Sequence, residues 1–197
     1  MSVNAKRLDV DAIPKTMHAA AIDHPGGPEV LSIHTLPVPQ LDANEVLIAV
    51  DTAGVGGWDA DMREGWSPSG WTHFPLVLGS DGAGTVAAVG SRVRRFKPGD
   101  RVYAYAWDNP KGGFYAEYVA VRAEGVAHIP RPLDLKHAGA IPVTGLTALQ
   151  GIDDVNHDPD HDNEPSLCGV TGTGAQHMDP LDREQEGDGS TPFNLAV

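Results

Sequence analysis

The chain has 197 residues, of which 41% are hydrophobic, and a formal net charge of -13 at pH 7. Nucleic-acid surfaces depend on clustered Lys and Arg, so this acidic balance argues against a nucleic-acid partner. The single cysteine, Cys168, excludes an internal disulfide, and no apolar run has the length of a signal peptide or a membrane span. We therefore expect a cytoplasmic protein without a membrane partner.

Residues 1–16 lack regular patterning and are predicted to form a flexible lead. From Met17 onward the sequence is typical of strands and turns. Residues 45–54 place Val46, Ile48 and Val50 on one face of a strand with period two. Four further strand candidates are bounded by Gly, Pro, Asp or Asn, at 76–78, 85–89, 101–105 and 115–121. This spacing predicts a small β-barrel.

Helical pattern is scarce before residues 138–152, where one helix is expected with Thr144 as its N-cap. Beyond it the composition changes abruptly. Residues 155–197 contain nine acidic side chains and one basic side chain, with almost no apolar periodicity. Such a segment cannot bury enough apolar surface to offset its ordering entropy, so we expect a disordered acidic tail.

Residues 82–87, GAGTVA, match the dinucleotide-binding pattern G-x-G-x-x-G/A. That fingerprint requires a helix after the glycines, because the helix N-terminus faces the pyrophosphate. Here Gly84 is followed by a β-branched run and then by Gly90 and Ser91. The glycines are therefore predicted to permit a close crossing of strands instead of binding a nucleotide.

The stretch from Phe74 to Tyr105, with 20–31, 112–121 and 138–152, resembles the N-terminal domain of the medium-chain dehydrogenase/reductase superfamily. The branch it is most similar to is that of the zinc-independent, NADPH-dependent quinone oxidoreductases. The resemblance covers Met17 to Asp153 and implies a mainly β GroES-like barrel with one or two short helices over residues 17–154. It also implies hydride transfer from NADPH to a quinone, an enone or a similar small carbonyl compound.

The same resemblance indicates which site residues are absent. Zinc-dependent members have a cysteine where this chain has Gly56 and a histidine where it has Ser80, so no metal is expected. Asp59 and Tyr105 are the candidate catalytic residues, since a tyrosine can donate a proton to a developing alkoxide. The alternatives are that Tyr105 packs in the interior and that Asp59, like Asp81, caps a turn or accepts from a backbone amide.

Three tryptophans, Trp58, Trp66 and Trp71, fall within fourteen residues. Large rigid rings could form the wall of a flat apolar substrate site, or they could close an open end of the barrel. For the cofactor, the resemblance places the residue matching Thr144 beside the nicotinamide. Thr144 and Thr147 are therefore the candidate cofactor-binding residues.

A Rossmann domain is expected soon after Asp154, but the acidic tail stands there instead, and its fragment Gly169–Ala175 is only a weak glycine pattern. Three hypotheses follow. The chain is an NADPH-dependent reductase that is inactive or incomplete in this form and does not bind NADPH tightly. Alternatively, it is a stand-alone binding module whose exposed strand edges permit self-association, or a truncated, frame-shifted product.

Overall fold

A computed structural model of the chain describes residues 13–66, 73–107 and 109–157. Contacts divide the chain into two units, residues 1–146 and residues 147–197. Within the described residues, every strand lies in the first unit. No helix in these residues has both the length and the apolar character that crossing a bilayer requires.

The described residues form eight strands, joined by short turns and three helices. The strands are β1 (Thr16–Ile22), β2 (Ser32–Pro37), β3 (Glu45–Ala53), β4 (Leu76–Val77), β5 (Asp81–Val89), β6 (Arg101–Tyr105), β7 (Tyr118–Arg122) and β8 (Val126–His128). The helices are α1 (Gly57–Arg63), α2 (Leu135–Ala138) and α3 (Pro142–His157).

Two antiparallel sheets contain these strands, in the orders β2-β1-β4 and β7-β3-β5-β6-β8. The main core lies against the five-stranded sheet, where Val46 and Ile48 of β3 are fully buried and Val50 is partly buried beside them. Its central side chains are Val46, Ile48, Val86, Val102 and Phe114. The prediction of a mainly β fold is confirmed. It could be made from sequence because alternation of β-branched residues specifies one buried face of a strand.

Residues 82–87, the glycine pattern of the sequence, lie inside β5 and are not followed by a helix. At Gly84 a Cβ atom would overlap the Ala49 carbonyl oxygen on the neighbouring strand β3. Gly79, just before β5, has a φ of 92°, which a side chain would strain. The prediction that these glycines permit a close strand crossing is confirmed.

The helices differ from the sequence-based expectation in three ways. Neither α1 nor α2 was predicted, so the described residues contain three α-helices where one or two short helices were expected. Helix α3 begins at Pro142, so Thr144 lies in its first turn and the N-cap prediction for Thr144 was wrong. Proline suits the first helical position because its missing N–H is not needed there. Helix α3 also continues to His157, three residues into the predicted tail.

The remaining residues of the two predicted termini, 1–12 and 158–197, lie outside the described residues. The interpretation of residues 1–16 as a flexible lead meets the structure only at its end, where β1 already begins at Thr16. Disorder in the acidic tail stays a prediction.

Candidate functional site

Helix α1 and the turn before β5 meet through the buried carboxylate of Asp59. One oxygen, Oδ2, accepts from the Gly56 backbone N–H at 2.8 Å and from the Tyr115 hydroxyl at 3.0 Å. The other, Oδ1, accepts from the Gly79 backbone N–H at 3.2 Å. Asp59 stands third in α1 and reaches back to the residue before the helix, which is how a short helix is capped at its start.

Burial raises the pKa of Asp59, and the bonds from Gly56, Tyr115 and Gly79 oppose that rise. Burial and the charge of Asp59 raise the pKa of Tyr115 far above its usual value. The phenol therefore stays protonated and donates a hydrogen bond to Asp59. All three contacts of Asp59 hold protein segments together. The geometry therefore favours the amide-partner interpretation of Asp59 over the catalytic one.

Asp81, the first residue of β5, connects the barrel to the start of α3. Its side chain is buried, and Oδ2 accepts from the Val143 backbone N–H at 3.0 Å. Burial raises the pKa of Asp81, the bond from Val143 opposes this, and the nearby charge of Asp59 raises the pKa further. A distant strand residue thus provides the acceptor for a helix N-terminus that Thr144 was expected to cap.

Between these two carboxylates, Ser80 faces Trp58. The indole Nε1–H of Trp58 donates to Ser80 Oγ at 2.7 Å, across 22 residues of sequence. The backbone of Ser80 is held as well, since its carbonyl accepts from the Ala106 N–H at 2.8 Å. Ser80 is 6% exposed, so this hydroxyl lies in the protein interior.

Trp58 belongs to a group of three indole rings. Its ring meets that of Trp107 edge to face, with centroids 6.1 Å apart and an interplanar angle of 68°. Trp66 approaches Trp107 from another side, with centroids 6.0 Å apart. The structure thus brings together Trp58 and Trp66 of the predicted wall, while Trp71 lies outside the described residues.

Sequence reasoning missed Trp107, which joins these rings. It is 41 residues from Trp66 in the chain and follows the end of β6. The available signal was the position of an aromatic ring just beyond a predicted strand, at the same barrel end as a tryptophan-rich loop. Only the pairing of β6 with β5 places that ring beside the Gly79-Ser80 turn.

A pocket of about 20 Å³ adjoins Ser80 and Trp107. This volume admits a group of about the size of one water molecule. Met62 from α1 and Gly79 from the turn before β5 form part of its wall. The full lining comprises Met62, Leu76, Val77, Leu78, Gly79, Ser80, Ala106, Trp107, Asn109 and Gly113. It is therefore an apolar recess with one buried hydroxyl.

Comparison with known proteins identifies this barrel. The family model of the alcohol dehydrogenase GroES-like domain matches residues 42–131. This part of the chain is therefore an alcohol dehydrogenase GroES-like domain, as the resemblance in the sequence indicates. A quinone oxidoreductase from Coxiella burnetii has a similar structure, with a TM-score of 0.65, 32% identity, and coverage of 72% of this chain and 46% of that one.

Curated relatives of the chain include an alkenal/one oxidoreductase and quinone oxidoreductases. The chloroplastic NADPH-dependent alkenal/one oxidoreductase of Arabidopsis thaliana is 37% identical over 155 residues, covering 75% of this chain and 40% of the relative. The quinone oxidoreductase of Lama guanicoe is 36% identical over 139 residues, covering 70% and 41%. The chain thus spans about two fifths of the length of these relatives.

A zinc ion of the kind bound by some members of the superfamily does not fit the residues at this site. Gly56 has no side chain, and Ser80 Oγ already accepts from Trp58. Within the described residues, no three His, Cys, Asp or Glu side chains are grouped so as to hold a metal. A catalytic zinc needs about three such protein ligands.

The other predicted site residues lie apart from the indole pocket. Tyr105, at the end of β6, pairs with Asp81 across the sheet, and it is not a lining residue of the pocket. Thr144 is exposed in the first turn of α3, where its hydroxyl bonds to the carbonyls of Ala140 at 3.0 Å and Ile141 at 3.2 Å. Thr147 follows one turn later and belongs to the second unit.

Proposed function

We propose that this GroES-like domain is the substrate-holding part of a zinc-independent, NADPH-dependent reductase of quinones, enones or similar conjugated carbonyl compounds. The observation that carries the proposal is the recess beside Ser80, which Trp107 lines, with the rings of Trp58 and Trp66 against Trp107. Relatives named as quinone and alkenal oxidoreductases support the substrate class.

The chemistry of such a substrate matches the recess in two respects. A conjugated carbonyl compound is flat and apolar, so its ring gains contact area against rigid indoles at a small cost in conformational entropy. Its oxygen accepts a hydrogen bond and becomes more negative as hydride arrives, which a fixed donor stabilises. The recess holds a group about as large as that oxygen, and the ring would lie outside it.

NADPH supplies the hydride when it is bound, and Thr144 is the residue of this chain that we assign to its nicotinamide end. The hydroxyl proton of Thr144 is directed at helix carbonyls. An exposed lone pair of the same oxygen is left to accept an N–H of the carboxamide. Thr147 is the second residue of α3 that we assign to the cofactor.

Ligand-observed NMR on this chain tests the substrate half of the proposal. Duroquinone is a suitable probe because its ring positions are all methylated, so Cys168 cannot add to the ring. We expect saturation transfer from the protein to duroquinone, and competition by an enone such as cyclohexenone. Absence of transfer to both ligands from a folded chain would overturn the proposal.

NADPH binding by this chain is a separate question. Phosphate groups are usually held at a helix N-terminus with nearby basic side chains, and the resemblance assigns these contacts to a Rossmann domain and not to the barrel. We therefore expect NADPH to bind this chain only weakly, with contacts confined to the nicotinamide end. Three earlier hypotheses stay predictions: that the chain is a truncated, frame-shifted product, that it is a stand-alone binding module, and that it is cytoplasmic.

A further inference from the structure

We propose that the Ser80 hydroxyl donates a hydrogen bond to the carbonyl oxygen of the substrate, and that Trp58 is the positioning residue that directs this proton. The inference rests on the proposed function and deepens it, since it names the donor that recognises the substrate. It gives Ser80 a role that is independent of any metal.

The direction of the Ser80 proton follows from the donor on Trp58. An indole N–H can only donate, whereas a hydroxyl has one proton and two lone pairs. At 2.7 Å, Trp58 Nε1 therefore occupies a lone pair of Ser80 Oγ, and the Ser80 proton must point elsewhere. Among the residues that the structure describes, no side chain or carbonyl accepts that proton.

The surroundings of Ser80 make this donor valuable. Its residue is 6% exposed, so competition from bulk solvent is small. A hydrogen-bond donor in such a place costs free energy when it lacks an acceptor and stabilises a ligand that provides one. The adjoining recess, about 20 Å³, has room for an oxygen-sized acceptor.

Trp58 contributes to the arrangement through both its ring and its N–H. The ring contacts Trp107 edge to face, which fixes the plane of the indole and hence the direction of the N–H. The backbone bond from Ala106 to the Ser80 carbonyl fixes the other partner. The pair is thus held before a ligand arrives, which reduces the entropy lost on binding.

The variants Ser80→Ala and Trp58→Phe test the inference, with Ser91→Ala as the matched control at an exposed turn outside the site. Dissociation constants for duroquinone and for durene, the same tetramethylated ring without oxygens, are measured by NMR titration of the full chain. Duroquinone labelled with carbon-13 at its carbonyls reports the hydrogen bond directly, because such a bond moves the carbonyl resonance downfield. Thermal unfolding and amide spectra establish that each variant is folded.

We expect Ser80→Ala to weaken duroquinone binding by about three- to tenfold, the effect of one neutral hydrogen bond, and to abolish the downfield shift. Durene binding should change by less than about twofold, since the apolar contacts remain. Trp58→Phe keeps a ring but loses the directing N–H, so we expect a smaller downfield shift. Ser91→Ala should match the parent chain.

The outcomes separate the two proposals. If the parent chain binds neither duroquinone nor durene, the proposed function fails. If it binds duroquinone with equal affinity and an equal carbonyl shift in Ser80→Ala, the assignment of Ser80 is wrong while the substrate class stands. If Ser80→Ala does not fold, the carbonyl shift of duroquinone is compared between the parent chain and Trp58→Phe. The inference is overturned if the parent chain produces no downfield shift, or if Trp58→Phe produces the same shift as the parent chain.

Discussion

Asp59 and Ser80 lie close together at one end of the barrel, yet their polar groups are satisfied in opposite ways. Each takes part in a hydrogen bond that joins the start of α1 to the turn before β5. Asp59 accepts three hydrogen bonds, all from the protein. Ser80 accepts one from Trp58, and its own proton, beside a recess, has no acceptor within residues 13–66, 73–107 and 109–157.

The difference separates a structural polar group from a ligand-directed one. A carboxylate with three protein donors has its hydrogen-bonding capacity taken up within the protein, and it joins segments that would otherwise move apart. A hydroxyl that is held in place by one donor, with its own proton unshared, keeps its remaining capacity for a ligand. Substitutions at the two positions should consequently affect different properties.

Asp59→Ala should have the largest effect on stability. It leaves two backbone N–H groups and the Tyr115 hydroxyl without their acceptor, so we expect a loss of about 3 kcal/mol in the free energy of unfolding. Denaturant titration measures the loss, and Asp61→Ala, an exposed position on the same helix, should change little. A loss of under about 1 kcal/mol for Asp59→Ala would show that Asp59 is not the structural polar group that we infer.

Tyr115→Phe removes one of the three donors and should have a smaller effect. A hydrogen bond to a charged group contributes about 1.5 to 3 kcal/mol, and we expect a loss near the lower end. Because the Tyr115 bond lowers the pKa of Asp59, the variant should also raise that pKa, which carboxyl carbon NMR measures. Tyr118→Phe provides a control on a half-buried tyrosine; equal losses in the two variants would contradict the role of Tyr115.

The pH dependence of stability should differ in sign between two aspartates. Burial raises the folded-state pKa of Asp81, so its contribution to stability falls as pH rises from 3.8 to that raised value and is constant above it. Burial alone would also raise the pKa of Asp100, but bonds from Lys97 and His128 lower it. Its contribution is therefore lost as pH falls from 3.8 through the lowered value.

Asp81→Asn and Asp100→Asn isolate these two contributions. Unfolding free energies measured from about pH 3 to pH 7 should show the Asp81 variant losing less stability with rising pH than the parent. The Asp100 variant should lose less with falling pH. Parallel curves for Asp81→Asn and the parent chain would show that the carboxyl of Asp81 titrates alike in the folded and unfolded states.

Ser80→Ala should have the smallest effect on stability of these substitutions. It removes one neutral hydrogen bond and leaves the Trp58 N–H without its partner, which costs about 1 kcal/mol. Thermal unfolding of the variant beside Asp59→Ala measures the contrast directly. If the two variants lose equal stability, Ser80 is as much a structural group as Asp59.

The barrel could be predicted from sequence because the patterns that specify its strands lie within short stretches of the chain. Alternation of Val46, Ile48 and Val50 specifies a buried strand face, and the β-branched run after Gly84 excludes a nucleotide-binding helix. Helix α1 was missed because seven residues starting with glycine have weak helical pattern. It is held by Asp59, whose other donors lie 20 and 56 residues away in the chain.

The candidate site was predictable only in part, for the same reason. Trp58 and Trp66 stood out because they are close in sequence, whereas Trp107 depends on the pairing of β5 with β6. From the sequence, Ser80 is identifiable only as the residue that replaces a zinc ligand. Its role depends on a hydrogen bond from Trp58 that no local pattern indicates.

A crystal structure of the chain with duroquinone is the most direct test of the account. We predict one quinone oxygen within hydrogen-bond distance of Ser80 Oγ, with the bond from Trp58 Nε1 retained and the quinone ring against the indole of Trp107. Duroquinone bound elsewhere, or bound at the mouth of the recess with both oxygens directed away from Ser80, would contradict it.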